Sequence, residues 1–226
     1  MDLLLTKEDW SNFWPPISLS LQVSLIATVC VIVSGIILAA LLARKKFKGK
    51  VLLETCLLLP IVLPPTVTGF LLLVVFGRNS IIGKGIEWLF HQPIIFTWWA
   101  AVIAAFIVSF PLMYQSAKAG FIQIDRSIEE AARVDGANEW KVLTSISIPL
   151  ASHSLISGSI LSFARGLGEF GATLMFAGNI PGKTQTLPTA IYVAIETGNM
   201  RMAWIWVITI TIISFIMLAL CQPKQQ

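Results

Sequence analysis

The stretch "EEAARVDGANEWKVLTSISIP" (residues 129–149) is charged and hinged on a glycine, yet it sits between apolar runs long enough to cross a bilayer. Five of the chain's twelve acidic residues fall between Asp125 and Glu139. Ser127-Ile128-Glu129-Glu130 fits a capping box, with the serine as cap and Glu130 reaching back. Acids in this first turn also suit the helix dipole. The predicted helix runs through Ala131, Ala132, Arg133 and Val134, and Gly136 is a natural terminator. Asn138 can cap a second helix holding Trp140, Val142, Leu143, Ile146 and Ile148. Pro149 then bends or restarts the chain. Two readings stay open for this helix–turn–helix: a solvated loop, or a short helix whose Ala131, Ala132 and Val134 fill a partner's groove.

The flanks define the solvent. The chain has 226 residues, 56% hydrophobic and 12% charged, with a mean hydropathy of +0.80. A soluble domain carries about 25% charged residues, so the class is a polytopic membrane protein. A helix needs roughly 20 apolar residues to cross the hydrocarbon. The runs here are continuous rather than alternating, which excludes a barrel. The expected fold is all-α, one transmembrane domain over 1–226, with five spans near 17–43, 51–76, 94–117, 150–177 and 203–221. A loop at 126–149 joins the third to the fourth. The opening "MDLLLTKEDW" is acidic and lacks a small-residue cleavage site, so the first run is expected to stay as a helix.

Lysine and arginine bias orients these spans. "RKKFKGK" (residues 44–50) holds five cations, and Lys118, Arg126, Arg133, Lys141 and Lys224 fall on the same side. The other side holds Lys7, Arg78, Lys84, Lys183 and Arg201, ten against five. The bias predicts the N-terminus outside, the C-terminus inside and residues 126–149 in the cytoplasm. The net charge of +4 reflects this bias and implies no nucleic-acid partner.

Catalytic and metal chemistry find little support. Cys30, Cys56 and Cys221 match no metal or disulfide spacing and read as small buried hydrophobes. Neither His91 nor His153 has a ligand neighbour, so no metal site is expected. "GNIPGKT" (residues 178–184) has three residues between its glycines where a phosphate-binding P-loop needs four. No nucleotide site is therefore expected, and a pump built on this chain must borrow its energy from a partner. His153 and Ser154 are adjacent and point to different sides of a helix, which argues against an intramembrane protease.

Two spans carry features suited to passage. In "LLLPIVLPPTVTGF" (residues 57–70), Pro60, Pro64 and Pro65 predict a kink or opening near mid-span. That break is either a packing kink or a pathway wall that includes Thr66 and Thr68. Pro111 is expected to bend span three similarly. Span four is the most polar, with Ser154, Ser157, Ser162, Arg165 and Glu169 near one face. An arginine at mid-span costs at least about 2.5 kcal/mol and must face protein or water. Arg165 and Glu169, four apart, can pair. They form either an internal ion pair or, with the serines, a conduit that hydrogen-bonds a passing oxyanion. Glycines 158, 166, 168 and 171 permit close helix approach, including against a second copy. An ion-coupled carrier or channel is the rival class, and Arg165 and Glu169 are its only clearly intramembrane charges, with Glu54 and Glu196 near span ends.

Glu130-Ala131-Ala132, three residues, Gly136, nine residues, then Ile146-Ser147-Ile148-Pro149 resembles the "EAA" loop of bacterial ABC-importer permeases, departing only at Ile148, where that loop has leucine. The resemblance implies that the helix around 128–136 is a coupling helix seated in a cleft of an ATP-binding subunit, with Glu130, Ala131, Ala132, Arg133 and Gly136 at the joint. Residues 163–192, with Gly168-Glu169-Phe170-Gly171-Ala172-Thr173 and Asn179-Ile180-Pro181-Gly182, are similar to the molybdate permease subfamily, as are "RKKFKGK" and residues 57–77. Sulfate permeases share part of this signature, so sulfate or thiosulfate are alternatives, and tungstate, nearly the same size and charge as molybdate, is another. The resemblance implies a type I importer in the bacterial cytoplasmic membrane. It would have two copies of this chain, two ATP-binding subunits that carry the ATP and Mg, and an extracytoplasmic oxyanion-binding protein. Pro64, Pro65, Thr66, Ser157, Ser162, Arg165 and Glu169 would be pathway candidates, and the face near residues 179–192 a gate or docking surface. No cofactor is expected on this chain, and it is not an enzyme.

Overall fold

The computed structural model describes residues 7–221, with side chains at 11–219. Lys224 and residues 1–6 lie outside the described residues, as do the side chains of Lys7 and Cys221. Every element among the described residues is helical. Three helices are long and apolar enough to cross a membrane unbroken: α1 (Lys7–Leu42), α5 (Trp98–Gln123) and α12 (Met200–Cys221). Two bent pairs bring the possible spans to five. One is α2 (Lys50–Val62) with α3 (Pro65–Phe76), bent by 120°. The other joins the segment 139–150 to α9 (Ser152–Leu167), bent by 78°.

The prolines explain the first bend. A residue before proline is pushed out of the helical region. Leu63 precedes Pro64 and Pro64 precedes Pro65, and both are extended, with ψ of 139° and 138°. Pro65 then opens α3 at its first position, where no N–H is needed. Pro60 stays inside α2. Pro111, expected to bend span three, leaves α5 continuous. Its ring is fully buried.

The central packing follows from small residues at regular spacing. On α1, Leu19, Val23, Ala27, Val31, Gly35 and Ala39 recur every four residues and are buried, one ridge of a helix surface. They face α5, whose Ala100, Ala101, Ala104 and Ala105 let the backbones approach. α9 closes the other side of α5, where a Cβ on Gly158 would lie 2.6 Å from Ser116 Cβ. α2 is tied to α5 by Glu54, which takes hydrogen bonds from Lys118 Nζ at 2.6 Å and the Tyr114 hydroxyl at 3.0 Å. α12 is peripheral, packed on α11 (Leu187–Glu196) and the start of α1.

Several expectations are corrected. Span four is not one helix: α9 ends at Leu167, and α10 (Gly171–Phe176) restarts after a break that takes Glu169 out of the helix. The stretch between spans two and three holds a further helix, α4 (Ile81–Phe90), capped by Ser80, whose Oγ accepts from Gly83 N at 2.8 Å. Ile81, Trp88, Leu89 and Phe90 are exposed on it, the pattern of a helix lying in a lipid interface. Cys30 and Cys56 are exposed, not buried. An apolar solvent exerts no pressure to bury a thiol. The second helix of the 126–149 loop is also irregular. α7 (Glu139–Val142) passes into a π-helical turn, Leu143–Ser147, and then α8 (Ile148–Leu150). Pro149 has no N–H for the carbonyl one turn back, and the backbone widens before it, so that Ile148 N donates to Leu143 O.

Candidate functional site

The charged loop opens with α6 (Arg126–Val134). Its cap is Asp125 rather than Ser127: the carboxylate accepts from Ser127 N at 2.9 Å. That N–H holds the Asp125 carboxyl below the usual carboxylate range. At the other end, Ala137 N donates to Ala132 O and Gly136 N to Arg133 O, both at 3.0 Å. This is a Schellman motif, which needs a left-handed residue at the glycine position. Gly136 supplies it, with φ of +88°. Arg133 then reaches across the turn with a forked pair of bonds to Glu139, at 2.7 and 3.1 Å. The pair raises the Arg133 guanidinium and lowers the Glu139 carboxyl. α6 and α7 are thereby held at a fixed angle.

The outward face of this unit is mixed. Glu130, Ala131 and Arg133 are exposed and Ala132 is half-buried. Beside them stand two large apolar side chains, Val134 at 88% exposure and Trp140 at 68%. The one buried residue of α6 is an acid, Glu129. Its Oε2 accepts from Arg44 Nη1 at 2.5 Å and its Oε1 from Ser147 Oγ at 2.9 Å. Arg44 Nη2 also donates to the carbonyls of Phe121 (2.9 Å) and Ile124 (2.7 Å). Sequence reasoning missed Glu129 because its partner lies 85 residues away. The available signal was the first of two adjacent acids, Glu129 before Glu130, on an otherwise solvated helix.

The other candidates gather where two helix breaks meet. A Cβ at Gly171 would lie 2.9 Å from Pro65 Cβ and 3.2 Å from the Thr66 nitrogen; one at Gly69 would lie 2.8 Å from Ala172 Cα. α3 and α10 therefore pack backbone to backbone, and the break at residues 63–64 abuts the break at 168–170. Pro64, Pro65 and Thr66 are exposed there. Arg165 Nη1 bonds Glu169 Oε2 at 2.6 Å, with the arginine side chain 33% exposed and the carboxylate side chain 1%. Glu169 Oε1 also accepts from Ala172 N at 2.8 Å, so this acid caps α10 while it pairs with α9. Thr68 is buried nearby, with its hydroxyl unpartnered among the described residues.

Not all of the predicted polar face is accessible. Ser162 is fully buried and donates to Ser109 O at 3.2 Å, so it joins α9 to α5. Ser157 is half-buried and lines an open groove of about 710 Å³ between α5, α9 and the start of α6, with Ser116, Gln123, His153 and Ser154. The turn over residues 178–184 is closed on itself, Thr184 Oγ1 accepting from Ile180 N at 2.9 Å. No metal-ligand group of three or more occurs among the described residues.

Comparison with other proteins places these features in a known setting. The sequence profile described as "binding-protein-dependent transport system inner membrane component" matches residues 22–223. The YvgM protein of Bacillus subtilis (strain 168) is 60% identical over 225 residues, covering 100% of this chain and 99% of that one. ModB of Escherichia coli (strain K12), a molybdenum transport system permease protein, is 44% identical over 195 residues, covering 86% and 83%. A chain of the MetNI methionine ABC transporter, in an inward-facing form, matches with a TM-score of 0.75 at 15% identity over 96% of both chains. That last likeness is one of fold.

Proposed function

Because the chain belongs to the family of binding-protein-dependent transport system inner membrane components, we propose that it is the permease subunit of an ABC importer for molybdate. It is a multi-pass membrane subunit and performs no chemistry on its cargo. Two copies form the pathway, two ATP-binding subunits carrying ATP and Mg dock on α6, and a loaded oxyanion-binding protein docks outside. ATP binding draws the two α6 helices together and turns the pathway from inward-facing to outward-facing. The observation that carries this reading is α6 itself: a helix fixed at both ends, presenting Glu130, Ala131, Ala132, Arg133 and Val134 to a groove. Pro64, Pro65, Thr66, Ser157 and Arg165 form the pathway wall, with Ser162 and Glu169 supporting it from behind.

Molybdate as cargo is supported by the name of ModB and by its 44% identity. The test is uptake of labelled molybdate by the full complex in vesicles, in competition with unlabelled oxyanions. Molybdate and tungstate are expected to compete about equally, being similar in size and charge, and sulfate weakly. Competition by sulfate or thiosulfate as strong as by molybdate would move the assignment to those anions.

A further inference from the structure

We infer that Arg44 is the positioning residue that carries the motion of α6 into α1, acting through Glu129; this rests on the reading of α6 as the helix that docks the ATP-binding subunit. The chain between α5 and α6 transmits rotation poorly. Ile124 and Asp125 are both extended, with ψ of 130° and 127°, so the two helices do not form one rod. Arg44, two residues beyond the end of α1, spans that joint. One arm of its guanidinium holds the carbonyls of Phe121 and Ile124 on the α5 side, and the other holds Glu129 on α6. Donors in a planar fork fix orientation as well as distance. Glu129 is in turn held from the far side by Ser147 at the end of the π-helical turn.

Little else joins α6 to α1. Glu129 is the sole buried residue of α6. Beside the ion pair lies an open groove of about 320 Å³, lined by Leu41, Arg44, Phe121, Glu129 and Leu143 among others. Apolar packing there is incomplete, and the ionic contact bridges it. α1 runs along α5 for most of its length, so a pull on its inner end enters the centre of the bundle.

The test uses the whole complex in vesicles, with Arg44→Gln, Arg44→Lys and Glu129→Gln. Three quantities are read: assembly with the ATP-binding subunit, ATP hydrolysis stimulated by the loaded binding protein, and anions taken up per ATP. Spin labels at Ser127→Cys on α6 and Leu41→Cys on α1, in a background with Cys30, Cys56 and Cys221 replaced by serine, are measured between the two copies and follow each helix. Arg44→Gln is expected to assemble and hydrolyse ATP while anions per ATP fall at least about fivefold. The Ser127 distance should still change with nucleotide, and the Leu41 change should shrink. Arg44→Lys, which keeps the charge and loses the fork, should lie between; Glu129→Gln should fall in the same direction. An unchanged ratio with an unchanged Leu41 movement in Arg44→Gln overturns the inference, and so does loss of coupling only in step with lost assembly. Should Arg44→Gln fail to fold, full coupling in Glu129→Gln overturns it equally. A wild-type complex without ATP-dependent uptake would instead sink the reading of α6, and this inference with it.

Discussion

Replacing Arg165 with alanine is expected to destabilise the protein by about 3 kcal/mol, the lower end of what stranding a buried charge costs. The low end applies because Glu169 keeps one partner, Ala172 N at 2.8 Å. The carboxylate side chain is only 1% exposed in the intact pair, so the substitution takes away its cationic partner in a largely desolvated setting. Pairing the change with Glu169→Gln removes the stranded charge, and most of the thermal stability of the purified complex should return. Uptake should not return, because Arg165, one-third exposed, is proposed to meet the anion as well as Glu169. Thermal melting and vesicle uptake of the single and double variants separate the two roles. A double variant that recovers both would leave Arg165 with the ion pair alone.

Gly136→Val should abolish most coupled transport. A Cβ at this position has nothing within 4 Å, so the effect cannot be a clash. It comes from the backbone: φ is +88°, where an L-residue pays roughly 1–2 kcal/mol and a β-branched one more. A penalty of about 2 kcal/mol lowers the equilibrium constant for forming the native turn by more than tenfold. The turn sets the angle between α6 and α7, which the Arg133–Glu139 fork alone would have to hold. Gly136→Asn is the control, because asparagine tolerates the left-handed region. Uptake per ATP should fall at least about tenfold in the valine variant and stay near wild type in the asparagine variant. Equal behaviour of the two would remove the turn from the coupling account.

What could be seen in the sequence was what local chemistry decides. Successive prolines at 64 and 65 dictate the break that separates α2 from α3. The spacing from Glu130 to Gly136 marks α6, and Arg165 with Glu169 is visible as an i, i+4 pair. What stayed hidden depends on partners distant in sequence. Glu169 looked like part of a helix, but it leaves α9 and caps α10, where Gly171 lets Pro65 approach. Nothing local marks Ser162 as the link from α9 to the Ser109 carbonyl, which lies 53 residues away. Asp125 displaced Ser127 as cap, since either fits a helix start and only the course of the chain after α5 chooses. Glu129 drew no notice beside Glu130, because Arg44 arrives from another helix. Burial rules learned in water also failed for Cys30 and Cys56, since the surface of a membrane protein faces hydrocarbon.

Anion is expected to cross only when an ATP-binding subunit acts on α6. The direct measurement is molybdate uptake into vesicles holding the purified chain with its ATP-binding subunit and binding protein. ATP is supplied either on the side where α6 projects or on the opposite side. Uptake should require ATP on the α6 side, require both partners, and cease with a non-hydrolysable analogue. Uptake that runs without ATP, or from this chain alone, would contradict the claim and make the chain a channel or an ion-coupled carrier.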